Sequence, residues 1–424
     1  MTKNKILAIE DLVSVESIYK AKLRLKDVAI HTPLMHNDNW SEKYSANIYF
    51  KREDLQVVRS YKIRGAYNQM STLPKSALEK GVVCASAGNH AQGVALACRK
   101  MNVKGTIFMP APTPKQKVSK VQFFGRDNVE IILTGDTFDA SYNAGIEYMK
   151  THDTTFIHPF DDDKVIEGQA TVGLEIMEDC DVPIDYIFVA IGGGGLISGL
   201  GSYFKQMSPH TKIIGVEAQG APAMYESLKQ GKVVTLDHID TFVDGVAVKK
   251  VGEKTFKICQ HVIDDLILVP EGKVCTSILK LYNEEAIVAE PAGAITIAAL
   301  DFYKDKIKGK NVVCVISGGN NDITRTEEIK ERSLFYEGLK HYFIIRFPQR
   351  AGALREFLNN VLGKTDDITH FQYIKKHSRE SGPAVVGIEL KDKKDYDSLL
   401  HRMEKHGVKY QTLNNNPTLY ELLI

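Results

Sequence analysis

Between residues 81 and 316, short apolar runs alternate with longer amphipathic stretches, and this alternation constrains the fold more than any other feature of the chain. The runs are Gly81-Val82-Val83-Cys84-Ala85-Ser86, Thr106-Ile107-Phe108-Met109, Val129-Glu130-Ile131-Ile132-Leu133, Thr155-Phe156-Ile157-His158, Tyr186-Ile187-Phe188-Val189-Ala190, Ile213-Ile214-Gly215-Val216-Glu217 and Val312-Val313-Cys314-Val315-Ile316. Helical periodicity falls between them, over 91–101, 115–124, 138–150, 167–178 and 196–207. Strands separated by helices predict parallel sheets with crossover helices, hence an α/β, doubly wound architecture. In such sheets ligands collect at the carboxyl ends of the strands. Upstream, the first 45 or so residues read as a helical lead-in with Ser14 at a helix start, 47–51 reads as a strand and 61–70 as a helix.

The pattern changes near residue 325, where Thr326-Glu327-Glu328-Ile329-Lys330-Glu331-Arg332 opens a charged stretch read as a linker helix over 326–338. Beyond it, strands are expected at 341–347, 368–376, 384–390 and 408–413, with helices at 353–362 and 396–406. That order, βαββαβ, is the ferredoxin-like arrangement. The division expected is a catalytic region 1–325, with a smaller subdomain around 55–160, then the linker helix and a module over 339–424.

Basic and acidic side chains number 54 and 53, so no charge surplus favours nucleic acid or a membrane surface, and a small-molecule partner is expected. The opening residues lack a signal peptide's apolar stretch and no apolar run reaches bilayer-spanning length, which predicts a cytoplasmic protein. Cysteines 84, 98, 180, 259, 275 and 314 contain no Cys-x-x-Cys pair, so reduced thiols and no metal site are expected.

Four stretches carry the chemistry. Gly192-Gly193-Gly194-Gly195 follows an apolar strand and opens a helix, so unobstructed N–H groups converge where a phosphate is stabilised. Its spacing is neither the Gly-x-Gly-x-x-Gly of dinucleotide binders nor a Gly-Lys-Ser/Thr phosphate loop. Lys62, in Ser60-Tyr61-Lys62-Ile63-Arg64-Gly65-Ala66, is an amine that partial burial would make nucleophilic toward an aldehyde. Ser86-Ala87-Gly88-Asn89-His90-Ala91-Gln92-Gly93 is a strand-to-helix turn whose N–H groups could hold an amino acid's carboxylate, with Asn89 free to serve either as a helix cap or as a cofactor contact. Ser317-Gly318-Gly319-Asn320 offers a neutral hydroxyl at a strand end. Together they make a parts list for pyridoxal 5'-phosphate.

With His158-Pro159-Phe160-Asp161-Asp162 and Glu290-Pro291-Ala292-Gly293-Ala294, these stretches resemble, in order and over nearly the whole chain, the threonine dehydratases (threonine ammonia-lyases) of the fold type II, tryptophan synthase β-like, pyridoxal-phosphate enzymes. The resemblance implies that Lys62 bonds the cofactor aldehyde and takes the α-proton. It implies that Asn89 contacts the ring hydroxyl, that Gly192, Gly193, Gly194, Gly195 and Leu196 bind the phosphate, and that Ser317 faces the ring nitrogen. Ser86, Gly88, Asn89 and His90 would hold the substrate carboxylate. Serine racemases are similar but place a serine where this chain has Ala87, and a second cation-binding carboxylate where it has Ala223; Glu217 is then structural. Phe347-Pro348-Gln349-Arg350-Ala351-Gly352-Ala353-Leu354 gives the C-terminal module the look of an ACT-like regulatory domain. The implied activity is deamination of L-threonine to 2-oxobutanoate and ammonia, with isoleucine and valine as effectors, in a homotetramer. A serine-preferring dehydratase or racemase is the alternative within the fold, and a catalytically silent amino-acid sensor the alternative outside it.

Overall fold

A computed structural model describes residues 11–373, 381–414 and 416. Its strands are β1 (Leu34–His36), β2 (Asn47–Arg52), β3 (Val82–Ala85), β4 (Gly105–Met109), β5 (Val129–Leu133), β6 (Thr155–Phe156), β7 (Tyr186–Ala190), β8 (Lys212–Ala218), β9 (Asp265–Val269), β10 (Asn311–Ile316), β11 (Lys340–Pro348), β12 (Asp367–Tyr373), β13 (Ser381–Glu389) and β14 (Lys409–Thr412). The chain falls into two compact units that meet between Asp322 and Ile323.

The first unit holds two sheets, ordered β1-β2-β10-β7-β8-β9 and β5-β4-β3-β6. Every pairing in them is parallel except that of β1 with β2. β10 lies inside the larger sheet, with Val312 opposite both Ile48 and Tyr186, and Val312 to Ile316 are all buried. That is why the run is apolar at every position, not alternating. The carboxyl ends of β3, β7 and β10 lead directly into Ser86, the tetraglycine and Ser317.

Helix Asp163–Asp179 packs against both helix Lys62–Ser71 and helix Gly195–Met207, so it ties the lysine stretch to the glycine stretch. The approach is close: a Cβ on Gly168 would lie 2.4 Å from Arg64 O, and one on Gly199 2.5 Å from Ile166 O. Two residues past Lys62, the buried Arg64 guanidinium bridges Glu53 and Glu175, with Nη2–Oε1 at 2.8 Å and Nη1–Oε1 at 2.6 Å. A buried charge is tolerable only when paired in this way.

The helical lead-in is interrupted by β1 and resumes in helix Asp38–Tyr44, and three further elements go beyond the sequence reading: β9 and the helices Glu271–Glu285 and Pro291–Ala298. The last is buried at every position, so it has no polar face to give a helical period. The strand expected over 155–158 stops at Phe156, because His158 Nδ1 accepts from Phe160 N (3.2 Å) and Asp161 N (2.7 Å) and turns the chain.

The second unit has the antiparallel order β12-β13-β11-β14, the ferredoxin-like pattern, with helices Ala353–Asn360 and Asp395–Lys405. Its own core is built on Phe343, Ile345, Phe357, Val386, Ile388, Leu399 and Met403. Helix Thr326–Glu337, expected as a linker, stacks Phe335 on Tyr342 of β11 with ring centroids 5.8 Å apart. The expected strand positions 374–376, the lead-in before residue 11 and the module's last residues, 417–424, lie outside the described residues.

Candidate active site

Lys62 is the first residue of its helix, and its Nζ donates to Pro159 O at 2.8 Å. Desolvation pulls the amine down from the usual lysine value to about 8, with the Glu290 carboxylate pulling the other way. The segment carrying Pro159 gathers the other parts of the site. Ile157 O meets His90 Nε2 at 2.8 Å, and Phe160 lies where Cβ atoms on Gly193 and Gly195 would be, 2.3 and 3.0 Å away.

The tetraglycine leaves β7 and starts a 13-residue helix at Gly195, with Gly194 at φ +93°, a left-handed conformation suited to glycine. Among the described residues, the N–H groups of Gly192 to Ile197 have no acceptor, although Gly193 to Ile197 are buried. A row of buried, unanswered donors at a helix N-terminus fits the phosphate of pyridoxal phosphate. The Leu196 N–H belongs to this row while its side chain belongs to the core. The loop is held from behind by Thr255, fully buried, whose Oγ1 donates to Gly193 O at 2.6 Å. Thr255 is placed in turn by Asp161, whose Oδ1 accepts from Thr255 N at 3.1 Å.

At the end of β3, Ser86 Oγ accepts from Gly88 N (3.2 Å), and the N–H groups of Ala87, Asn89, His90 and Ala91 have no acceptor among the described residues. This second row sits where a carboxylate could be received. A Cβ on Gly88 would meet nothing within 4 Å, so the space above it is open. His90 is buried with Nδ1 unpartnered, and desolvation together with Lys62 holds its imidazole down at about 3. Its side chain faces Ile157 O, so what it offers the site is its backbone N–H. His158 is likewise held down to about 4 by burial and stays neutral.

The Ser317 loop is stitched to the lysine stretch: Tyr61 N donates to Ser317 O (3.2 Å) and Gly319 N to Arg59 O (2.9 Å). The Ser317 hydroxyl donates to Ala292 O at 3.1 Å. Asn89 donates from Nδ2 to Glu290 Oε1 (2.6 Å) and accepts at Oδ1 from Asn320 Nδ2 (2.8 Å). Burial and Asp244 raise the Glu290 carboxyl to about 7, against the opposing pull of Asn89 and Asn320.

Sequence reasoning assigned no role to Glu290, Asn320, Phe160 or Thr255. The first three stood inside recognised motifs, whereas nothing in the sequence marked Thr255. Glu217 is spent on structure, accepting from Met224 N and Tyr225 N, both at 2.8 Å, at the start of helix Ala223–Gln230.

Residues 25–318 match the model of the pyridoxal-phosphate dependent enzyme family, and residues 331–423 match the C-terminal regulatory domain of threonine dehydratase. The chain is similar to the biosynthetic L-threonine dehydratase of Halalkalibacterium halodurans, 62% identical over 97% of this chain and 99% of that protein. Among solved structures it is similar to the processed form of threonine deaminase isoform 2 from Solanum lycopersicum, with TM-score 0.71, 42% identity, and 76% of this chain and 89% of that one covered. It is also similar to serine racemase from Dictyostelium discoideum, with TM-score 0.68, 34% identity, and 73% and 99% covered. The chain therefore belongs to the pyridoxal-phosphate-dependent enzymes and, among them, to the threonine dehydratase family with a C-terminal regulatory domain.

Proposed function

We propose that the protein deaminates L-threonine to 2-oxobutanoate and ammonia, the committing step toward isoleucine. The observation that carries this reading is Lys62, whose amine is drawn down to about 8 and which is tied through Pro159 and its neighbours to both rows of unanswered N–H groups.

The residues take the following parts. The N–H groups of Gly192 to Leu196 would hold the cofactor phosphate, and Lys62 would hold its aldehyde group. Asn89 has one amide hydrogen left after Glu290 and would give it to the ring oxygen. Ser317, a neutral hydroxyl that donates to Ala292 O, would face the ring nitrogen. When bound, pyridoxal phosphate supplies an electron sink for negative charge at the substrate α-carbon. The Ser86 to His90 turn orients the carboxylate, and Lys62 Nζ removes the α-proton as general base. His90, held neutral at about 3, supplies no second acid, and Ala87 has no proton to give. One base on one face suits loss of the β-hydroxyl, which with the proton taken from the α-carbon amounts to water, better than inversion at the α-carbon.

The catalytic region is read as 1–325, the joining helix as 326–338 and the regulatory module as 339–424, the last taking isoleucine as inhibitor and valine as its opponent. A homotetramer in the cytoplasm completes the reading; the charge balance is ordinary, and among the described residues no helix is long and apolar enough to cross a membrane.

The test is 2-oxobutanoate release from L-threonine by the purified full chain, with isoleucine and valine titrated in. Turnover suppressed by isoleucine and restored by valine is expected. Conversion of L-serine to D-serine without keto acid from threonine would replace this reading with a racemase.

A further inference from the structure

Glu290 is a buried carboxylate that the chemistry above does not use, and it sits where two donors converge. Its Oε1 accepts from Asn89 Nδ2 at 2.6 Å and its Oε2 from Asn320 N at 3.2 Å. Asn320 closes the ring: its Nδ2 donates to Asn89 Oδ1 and to Val58 O, both at 2.8 Å. Each member is fixed by backbone. Glu290 N donates to Gly318 O (3.2 Å), and Gly293 N donates back to Glu290 O (2.8 Å). The carboxylate has no spare room, since a Cβ on Gly318 would fall 2.4 Å from Oε1 and one on Gly245 3.5 Å from it.

An asparagine amide is nearly symmetric in shape, so only its partners decide which end points where. We propose that Glu290 is a positioning residue: by accepting from Asn89 and Asn320 together, its carboxylate fixes the direction of the Asn89 amide and turns that amide's second N–H toward the ring oxygen of the cofactor. A flipped Asn89 would set Oδ1 against the Glu290 carboxylate and its amide hydrogens against those of Asn320. Glutamine cannot replace Glu290, because two donors converge and its amide has one acceptor. That requirement accounts for an acidic side chain kept 6% exposed, where burial would otherwise disfavour it.

This inference rests on Asn89 contacting the ring oxygen, as proposed above. Its test is the visible absorption of the cofactor-loaded full chain together with the cofactor dissociation constant. In Glu290→Gln, loss of an oriented donor at the ring oxygen shifts absorbance from the long-wavelength band to the near-ultraviolet band. Cofactor affinity falls about tenfold, the scale of one charge-assisted hydrogen bond. Asn320→Ala, which frees Asn89 Oδ1 and leaves the carboxylate in place, gives the same spectral shift more weakly, and Glu290→Asp, with two acceptors, restores part of the long-wavelength band. Wild-type band positions and affinity in both Glu290→Gln and Asn320→Ala would overturn the proposal. Lys62→Ala separates the two levels. A long-wavelength band and turnover persisting in that variant would defeat the functional reading itself, whereas their loss there beside an unaltered Glu290→Gln would defeat only the role given to Glu290.

Discussion

The loops that follow β7 and β3 both present successive unanswered N–H groups, yet their glycines are packed in opposite ways. Around the tetraglycine, every added Cβ would collide: on Gly192 with Val246 at 2.9 Å, on Gly193 with the Phe160 ring at 2.3 Å, on Gly194 with Met224 at 2.9 Å, and on Gly195 with Phe160 at 3.0 Å. Over Gly88 there is open space. One cradle is walled from behind, while the other opens onto free space. The contrast matches a cofactor that stays and a substrate that turns over.

Substitution can break this comparison. Gly193→Ala forces a methyl group into the Phe160 ring, an overpacking cost of about 1–3 kcal/mol, or roughly fivefold to 150-fold in cofactor affinity. Equilibrium dialysis of the variant measures it, and unchanged affinity would mean the cradle is looser than its packing indicates. Gly88→Ala should leave cofactor affinity and melting temperature as in wild type. On the proposed function its methyl group enters substrate space, so KM for L-threonine should rise by about tenfold, the scale of one methylene in a fitted pocket.

The lysine between the two loops gives a pH test. Only the neutral amine captures an aldehyde, and burial lowers the Lys62 value, so the neutral form is reached on raising the pH through about 8. Cofactor capture by the apo-protein should therefore quicken about tenfold per pH unit below that point and level above it. A rate still climbing at pH 10 would mark an ordinary exposed lysine. The smallest effect is expected from Thr255→Val, which removes the 2.6 Å bond to Gly193 O: about 1 kcal/mol, or roughly fivefold in cofactor affinity, with KM for threonine unmoved.

Much of this arrangement was legible in the sequence. β3, β4, β7, β8 and β10 are apolar because they are buried, and the residue runs at their ends carry chemistry in their composition. The ring of Glu290, Asn89 and Asn320 was not legible, since it joins positions 201 and 231 residues apart whose partnership no local pattern encodes. Thr255 was hidden for the same reason, acting 62 residues from the glycine it holds. Helix Pro291–Ala298 escaped because burial on all sides erases the period that betrays a surface helix. β6 was overextended because its apolar run continues past the point where the His158 side chain, not hydrophobicity, turns the backbone.

The central claim is that Lys62 is the amine that holds the cofactor between the closed cradle and the open one. Reducing the cofactor-loaded protein with borohydride and mapping its peptides tests it most directly. The cofactor's mass is expected on the peptide carrying Lys62, with loss of threonine turnover in step with labelling; the label on any other lysine, or full turnover after labelling, would contradict it.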